Sequence, residues 1–153
     1  MTDRETIFGY RMRQTEETLS EAVRMLEASF SPRSIVNRSY YAMFYAVLTL
    51  FIHSNTPHKT SKHSGVIGIF NKEFIHTGKL DARFAQMLYD LFDQRMESDY
   101  RDFAEVSEED ARNAVSAAQE FVTAIKALTE YVSDKIRIRE GGELYPIMAL
   151  TCR

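Results

Sequence analysis

The sequence has no tryptophan, and its one cysteine is Cys152, beside the last residue. An intramolecular disulfide and a cysteine-based zinc site are therefore closed to it. Six glycines and three prolines in 153 residues are too few for low-complexity or collagen-like material. An excess of positive charge is also missing: 19 Lys and Arg stand against 22 Asp and Glu, a formal net charge of −3. That excludes a uniformly basic nucleic-acid coat and leaves only a local basic patch open. The most apolar run, Tyr40 to Ile52, is interrupted only by Thr49 and is shorter than the roughly 18 residues a membrane span requires. It reads as a buried core helix. The charged start, Met1-Thr2-Asp3-Arg4-Glu5-Thr6, lacks the apolar stretch of a secretion signal, which predicts a cytoplasmic protein with no membrane partner. Neither a phosphate-binding glycine loop nor a dinucleotide fingerprint occurs, and no cofactor is expected.

What the sequence does contain is helical periodicity. Met12, Leu19, Ala22, Val23, Leu26 and Phe30 recur at three- and four-residue steps and predict a first helix from about Arg4 to Ser29. Ser31-Pro32 reads as an N-cap followed by a first-turn proline, and the helix it opens is apolar on nearly every side to about His53. That pattern suits the element surrounded by the others. Asn55-Thr56-Pro57 breaks the chain, and a shorter helix follows from about Lys62 to His76, with Val66, Ile69, Phe70 and Phe74 inside and Thr77-Gly78 as its stop. A fourth helix spans about Asp81 to Arg101 on Phe84, Leu88, Leu91 and Phe92. Ser107-Glu108-Glu109-Asp110 resembles a capping box and opens a fifth, with Ala111, Val115, Ala118, Val122, Ile125 and Val132 on its stripe. After Asp134 the pattern stops: Lys135-Ile136-Arg137-Ile138-Arg139 alternates like a short strand, and Gly141-Gly142 begins an irregular tail. The expected architecture is all-α, an up-and-down antiparallel bundle of about five helices over residues 1–134, with residues 135–153 as a tail rather than a domain.

Charge intrudes on this pattern at one place. Continuing the stripe Phe84, Leu88, Leu91 by helical steps reaches Arg95 and then Asp99, where core residues are due. The order Arg-then-Asp is the less favourable one for a surface pair on a helix. A half-buried guanidinium must be paired, so Arg95 and Asp99 mark either a structural ion pair or a site. On the second helix Arg38, Tyr41 and Tyr45 sit at i, i+3 and i+7, which can put a guanidinium and two phenols on one side. The alternative is that these phenols only mark the wet edge of the core. His58-Lys59-Thr60-Ser61-Lys62-His63-Ser64 leads into a helix N-terminus, where Lys59, Lys62 and His63 could meet an anion. No carboxylate or cysteine accompanies the histidines at ligand spacing, so no metal site is expected.

Four segments together resemble the HEPN superfamily, nucleotide-binding helical domains of higher eukaryotes and prokaryotes, in its small stand-alone prokaryotic branch. They are Asn37-Arg38-Ser39-Tyr40-Tyr41-Ala42-Met43-Phe44-Tyr45, Lys62-His63-Ser64-Gly65-Val66-Ile67 with Phe70 and Phe74, Arg95-Met96-Glu97-Ser98-Asp99-Tyr100, and Val106-Ser107-Glu108-Glu109-Asp110-Ala111. The resemblance covers roughly residues 5 to 132. It implies a homodimer, encoded in many cases beside a minimal nucleotidyltransferase in a toxin-antitoxin-type pair, that binds nucleotide or RNA and not DNA. Many members are metal-independent endoribonucleases whose signature is an Arg, four to six residues, then a His. Here Tyr100 stands in the earliest His slot, Arg101 and Asp102 in the later ones, and no His follows His76. A tyrosine with a reference pKa near 10 is a poor general base at neutral pH. Seven acids and two arginines between Arg95 and Asp110 also make that stretch a poor seat for an RNA backbone. Two readings follow. In the first the chain is a binding module in which Arg38, Tyr41, Tyr45, Lys59, Lys62 and His63 hold nucleotide or RNA, and Arg95, Asp99 and Tyr100 hold a ligand phosphate or an interface. In the second it is a ribonuclease working through Arg95, Asp99 and Tyr100, with Arg95 stabilising charge, Asp99 orienting it, and Tyr100 or His63 acting as acid or substrate hydrogen-bond donor.

Overall fold

The computed structural model describes residues 2–60, 62–100 and 105–141, with side chains described for 2–60, 62–96 and 105–129. Among these residues the chain is all-α, with five helices and no strand. Helix α1 is Asp3–Glu27, α2 Pro32–His53, α3 His63–Phe70, α4 Ala82–Tyr100 and α5 Glu108–Gly141. A single π-helical turn, Asn71–Ile75, prolongs α3. Helix α2 packs against α1, α4 and α5. It is long and apolar enough to cross a membrane, yet 67% of its apolar window is buried by its neighbours, as a core helix requires.

Helices α1, α2, α4 and α5 each begin where a side chain satisfies an orphaned backbone N–H. Thr2 and Glu5 form a reciprocal capping box at α1: the Glu5 amide donates to Thr2 Oγ1 at 3.1 Å, and the Thr2 amide donates to Glu5 Oε2 at 2.8 Å. Ser31 accepts from the Ser34 amide, with Pro32 in the first turn of α2. Asp81 accepts from the Arg83 amide ahead of α4, and Ser107 and Asp110 cap α5 reciprocally at 3.0 Å. Two helices close in the Schellman geometry. Ser29 (φ 57°) after α1 and Asn55 (φ 53°) after α2 take the left-handed conformation, while the Phe30 and Thr56 amides reach back to the Met25 and Phe51 carbonyls.

Two expectations require correction. Phe30 does not join the buried stripe: α1 ends at Glu27, the Schellman turn points the chain away, and Phe30 is 55% exposed. The rest of the stripe faces inward, with Ala22 buried and Leu19, Val23 and Leu26 half-buried against the core, and Thr15 and Thr18 are buried beside it. Thr15 satisfies its hydroxyl on the Arg11 carbonyl at 2.8 Å and meets Thr49 of α2 at 3.3 Å, so a polar pair occupies the α1–α2 seam. The second correction is the strand-like run Lys135–Arg139, which is helical, because α5 continues unbroken to Gly141. Extending a formed helix adds a hydrogen bond for each residue fixed, and Lys, Arg and Glu are good helix formers, so nothing stops α5 before the glycine pair. Residues 142–153 lie outside the described residues.

The ends of α1 and α2 are tied antiparallel. Arg4 donates from Nε to the Ile52 carbonyl at 3.0 Å and from its terminal nitrogen to the His53 carbonyl, capping the negative end of α2 with a cation. His53 packs its ring on Phe8 at 5.4 Å, and its Nε2 is buried without a hydrogen-bond partner. Burial first, and Arg4 second, hold the His53 imidazole below its ordinary pKa. Its folded pKa is therefore lower than its unfolded one, and the unfolded chain binds more protons over that interval. Stability is full above about pH 6.5 and falls as acid is added through and below that value. Thermal melts from pH 7.5 to 5 are expected to show a falling Tm, with a shallower fall in His53→Asn. Identical slopes for the two proteins would contradict this.

Candidate functional site

The centre of interest is where α2, the start of α3 and the end of α4 meet. Helix α2 sends in Tyr40, which is fully buried, and Tyr41, which is partly buried. The Tyr40 ring stacks on Phe44 with centroids 6.0 Å apart and tilts against Phe92 of α4 at 5.8 Å. A buried phenol requires a polar partner. Tyr40 finds it in His63, the first residue of α3, whose Nδ1 lies 2.8 Å from the Tyr40 hydroxyl. The His63 imidazole lies flat on Phe44, with centroids 4.0 Å apart and planes at 14°, and its edge meets the Tyr41 ring at 5.7 Å.

Arg95 enters the same group from α4. Its guanidinium donates to the Tyr41 hydroxyl at 3.0 Å and lies 5.3 Å from the Tyr40 ring centroid and 5.0 Å from that of Tyr41. Two electron-rich faces and a hydroxyl thus hold a planar cation among aromatic neighbours. The electrostatic consequences agree with the geometry. Burial, reinforced by the positive charge of Arg95, keeps the His63 imidazole below its ordinary pKa and therefore neutral at pH 7. Burial also pushes the Tyr40 phenol well above its ordinary range, against the opposing pull of Arg95, so its proton stays on. The result is a fixed guanidinium, a neutral imidazole and two phenols around one point. A guanidinium recognises phosphate oxygens, and a neutral imidazole can take up a proton as an anion arrives.

The approach of α3 that presents His63 depends on a glycine. A Cβ on Gly65 would lie 2.5 Å from Cγ2 and 2.9 Å from Oγ1 of Thr60, whose hydroxyl accepts from the Lys62 amide at 3.1 Å. Alanine has the higher helix propensity, but a β-branched side chain has little room to retreat. Gly65→Ala is therefore expected to destabilise by about 1–3 kcal/mol in urea unfolding, with part of the loss recovered in Gly65→Ala/Thr60→Ala. A Gly65→Ala protein as stable as wild type would contradict this packing.

The other expected site residues separate. Arg38 and Tyr45 do share a face, but it is turned toward α1, where Arg38 lies 3.8 Å from Glu21 and both residues line a cleft of about 480 Å³. Tyr41 points one step around the helix, to Arg95, although its ring still meets Tyr45 at 5.8 Å. Lys59 and Lys62 are exposed on the approach to α3. The side chains of Asp99 and Tyr100 lie outside the described residues, and so does the expected Arg95–Asp99 pair. Tyr40 was not among the expected site residues; the signal that could have found it is a tyrosine inside an all-apolar helix, which needs a partner. Among the described residues no three His, Cys, Asp or Glu side chains gather as a metal site.

Comparison with known proteins points one way. Residues 9–128 match the family described as the HEPN domain. The UPF0332 protein of Thermotoga maritima is 35% identical over 130 residues, covering 85% of this chain and 96% of that one. Two proteins of Methanocaldococcus jannaschii, both named as candidate toxins, are each 32% identical. One alignment covers 74% of this chain and the other 72%, and each covers 80% of the relative. The match spans the helices that carry Tyr40, Tyr41, His63 and Arg95, and the chain belongs to the HEPN domain family.

Proposed function

We propose that this HEPN protein is the toxin-type member of a two-protein module and that it recognises the phosphate of a nucleotide or RNA through Arg95, Tyr41 and His63. The observation that carries this reading is the guanidinium of Arg95 held by Tyr41 beside a neutral His63. The names of the Methanocaldococcus relatives support the toxin role, and the family resemblance supports a minimal nucleotidyltransferase as partner. A homodimer fits the exposed apolar side chains Tyr89 (56%) and Met96 (37%), two turns apart on α4. The test is induced expression in a bacterial host, alone and with a minimal nucleotidyltransferase from the same genome. Growth arrest by the chain alone, relieved by the partner and accompanied by co-elution of the two, is the expected result. Undisturbed growth and separate elution would overturn it.

A second reading, cleavage of RNA, is favoured by the position of His63. With Nδ1–H donating to the Tyr40 hydroxyl oxygen, Nε2 carries the free lone pair. His63 would then take the proton of a ribose 2′-hydroxyl. The 2′-oxygen bonds to phosphorus, Arg95 stabilises the added negative charge, the bond to the 5′-oxygen breaks, and the imidazolium returns its proton to that oxygen. The products are a 2′,3′-cyclic phosphate and a 5′-hydroxyl. End-labelled RNA incubated with the protein in EDTA reads this directly; intact RNA at high protein concentration leaves the binding role alone.

A further inference from the structure

Helices α1 and α2 leave between them the cleft of about 480 Å³ described above, lined by Tyr10, Arg13, Glu17, Glu21, Arg38 and Tyr45. Three features set it apart from an ordinary groove between packed helices. Its lining is polar and charged at a seam where apolar contact is the rule. It places one phenol from each helix along its walls, with Tyr10 58% exposed. It is also linked to the Arg95 group through one pair of rings, because Tyr41, which accepts from Arg95, meets the ring of cleft residue Tyr45 at 5.8 Å. Tyr41 and Tyr45 are four residues apart on α2, a rise of about 6 Å.

We propose that this cleft is a second nucleotide subsite, so that the ligand of the Arg95 group is single-stranded RNA of at least two nucleotides rather than a mononucleotide. The proposal rests on the phosphate reading of Arg95 and extends it. The two phenols supply sequence-tolerant stacking faces for a base. Arg38 and Arg13 can meet the phosphate that links it to the neighbouring nucleotide. Glu17 and Glu21 disfavour a further phosphate deep in the cleft. As acceptors, they favour the N–H donors on a base edge. The base therefore lies against α1, and the backbone runs along α2 toward Arg95. Arg38, already 3.8 Å from Glu21, exchanges an exposed and weak ion pair for the linking phosphate.

The experiment is fluorescence anisotropy of a labelled single-stranded RNA hexamer, with unlabelled AMP and GMP as competitors, on wild type, Tyr10→Ala, Arg13→Ala and Arg95→Ala. Tyr10 and Arg13 are exposed on α1, and circular dichroism confirms that their variants stay folded. Tyr10→Ala is expected to weaken hexamer binding about 5- to 100-fold and Arg13→Ala by a smaller factor, with mononucleotide competition unchanged. Arg95→Ala weakens both ligands. Hexamer binding undisturbed by Tyr10→Ala and Arg13→Ala, but lost in Arg95→Ala, overturns the second subsite and leaves the phosphate reading standing. Loss in the α1 variants with none in Arg95→Ala sinks the phosphate reading and upholds the cleft as an RNA site. No hexamer binding by folded wild type overturns both, and the cleft is then open to a protein partner.

Discussion

Arg95→Ala is expected to abolish growth arrest and to weaken RNA binding about 10- to 150-fold, while the protein remains folded. The first half follows from chemistry: the guanidinium is the cation of the Tyr40–Tyr41–His63 group, and a hydrogen bond to a charged group is worth about 1.5–3 kcal/mol, roughly 10- to 150-fold in affinity. The second half follows from where it sits. Arg95 lies at the edge of the hydrophobic cluster, over the ring of Tyr40, which belongs to it, and that of Tyr41, which packs against it. Among the described residues its removal takes away the hydrogen bond to Tyr41 and the contacts with two rings, and it leaves the apolar helix interfaces in place. Arg95→Lys is expected to rescue little, because an ammonium cannot present the planar fork that lies against both rings and meets phosphate oxygens. Full activity in Arg95→Ala would remove the site. Collapse of the helical signal in Arg95→Ala would show a structural role instead.

Substitution of His63 has the second largest expected effect, and its sign with pH can be worked out. Burial and Arg95 hold the imidazole below its ordinary pKa, so it is neutral in the free protein at pH 7. A bound phosphate supplies negative charge beside it and raises that pKa, so binding takes up a proton. Affinity therefore increases as the pH is lowered from about 8 toward 6, and levels off once the free protein is itself protonated. His63→Gln is expected to flatten this dependence. If the protein cleaves RNA, the same change is expected to lower the rate by about 10²–10⁴. Tyr40→Phe keeps the ring contacts with Phe44 and Phe92 but removes the 2.8 Å partner of Nδ1. It is expected to give an intermediate loss, roughly five- to ten-fold, consistent with one hydrogen bond. A pH profile unchanged in His63→Gln would place the titrating group elsewhere.

Most of the fold was legible because it rests on local physics. The capping residues Ser31 and Ser107, the first-turn Pro32 and the turn at Asn55 act through neighbouring backbone groups, and periodicity marked Leu88, Phe70 and Val122 as buried. The far end of α5 was not legible, because alternation over five residues cannot outweigh the ease of prolonging a helix that is already formed. Arg95 was legible as an anomaly, a cation on an apolar stripe. Its meeting with His63 was not, since the two residues lie on different helices and only tertiary packing brings them together. Spacing also merged what the structure divides. Arg38 and Tyr45 are seven residues apart and lie about 20° from one another around the helix, whereas Tyr41 is rotated about 60° from Arg38 and about 40° from Tyr45. That single step sends it to α4 and leaves the other two facing α1.

The most direct test of a shared Arg95–His63 phosphate site is the pKa of the His63 imidazole, read by nuclear magnetic resonance in wild type, in Arg95→Ala, and in wild type saturated with a short single-stranded RNA. The expected result is a value below the ordinary histidine range in wild type, an upward shift when the Arg95 charge is removed, and a further rise above wild type when RNA binds. An imidazole that titrates identically in all three would show that His63 and Arg95 do not share a site and that no phosphate reaches them.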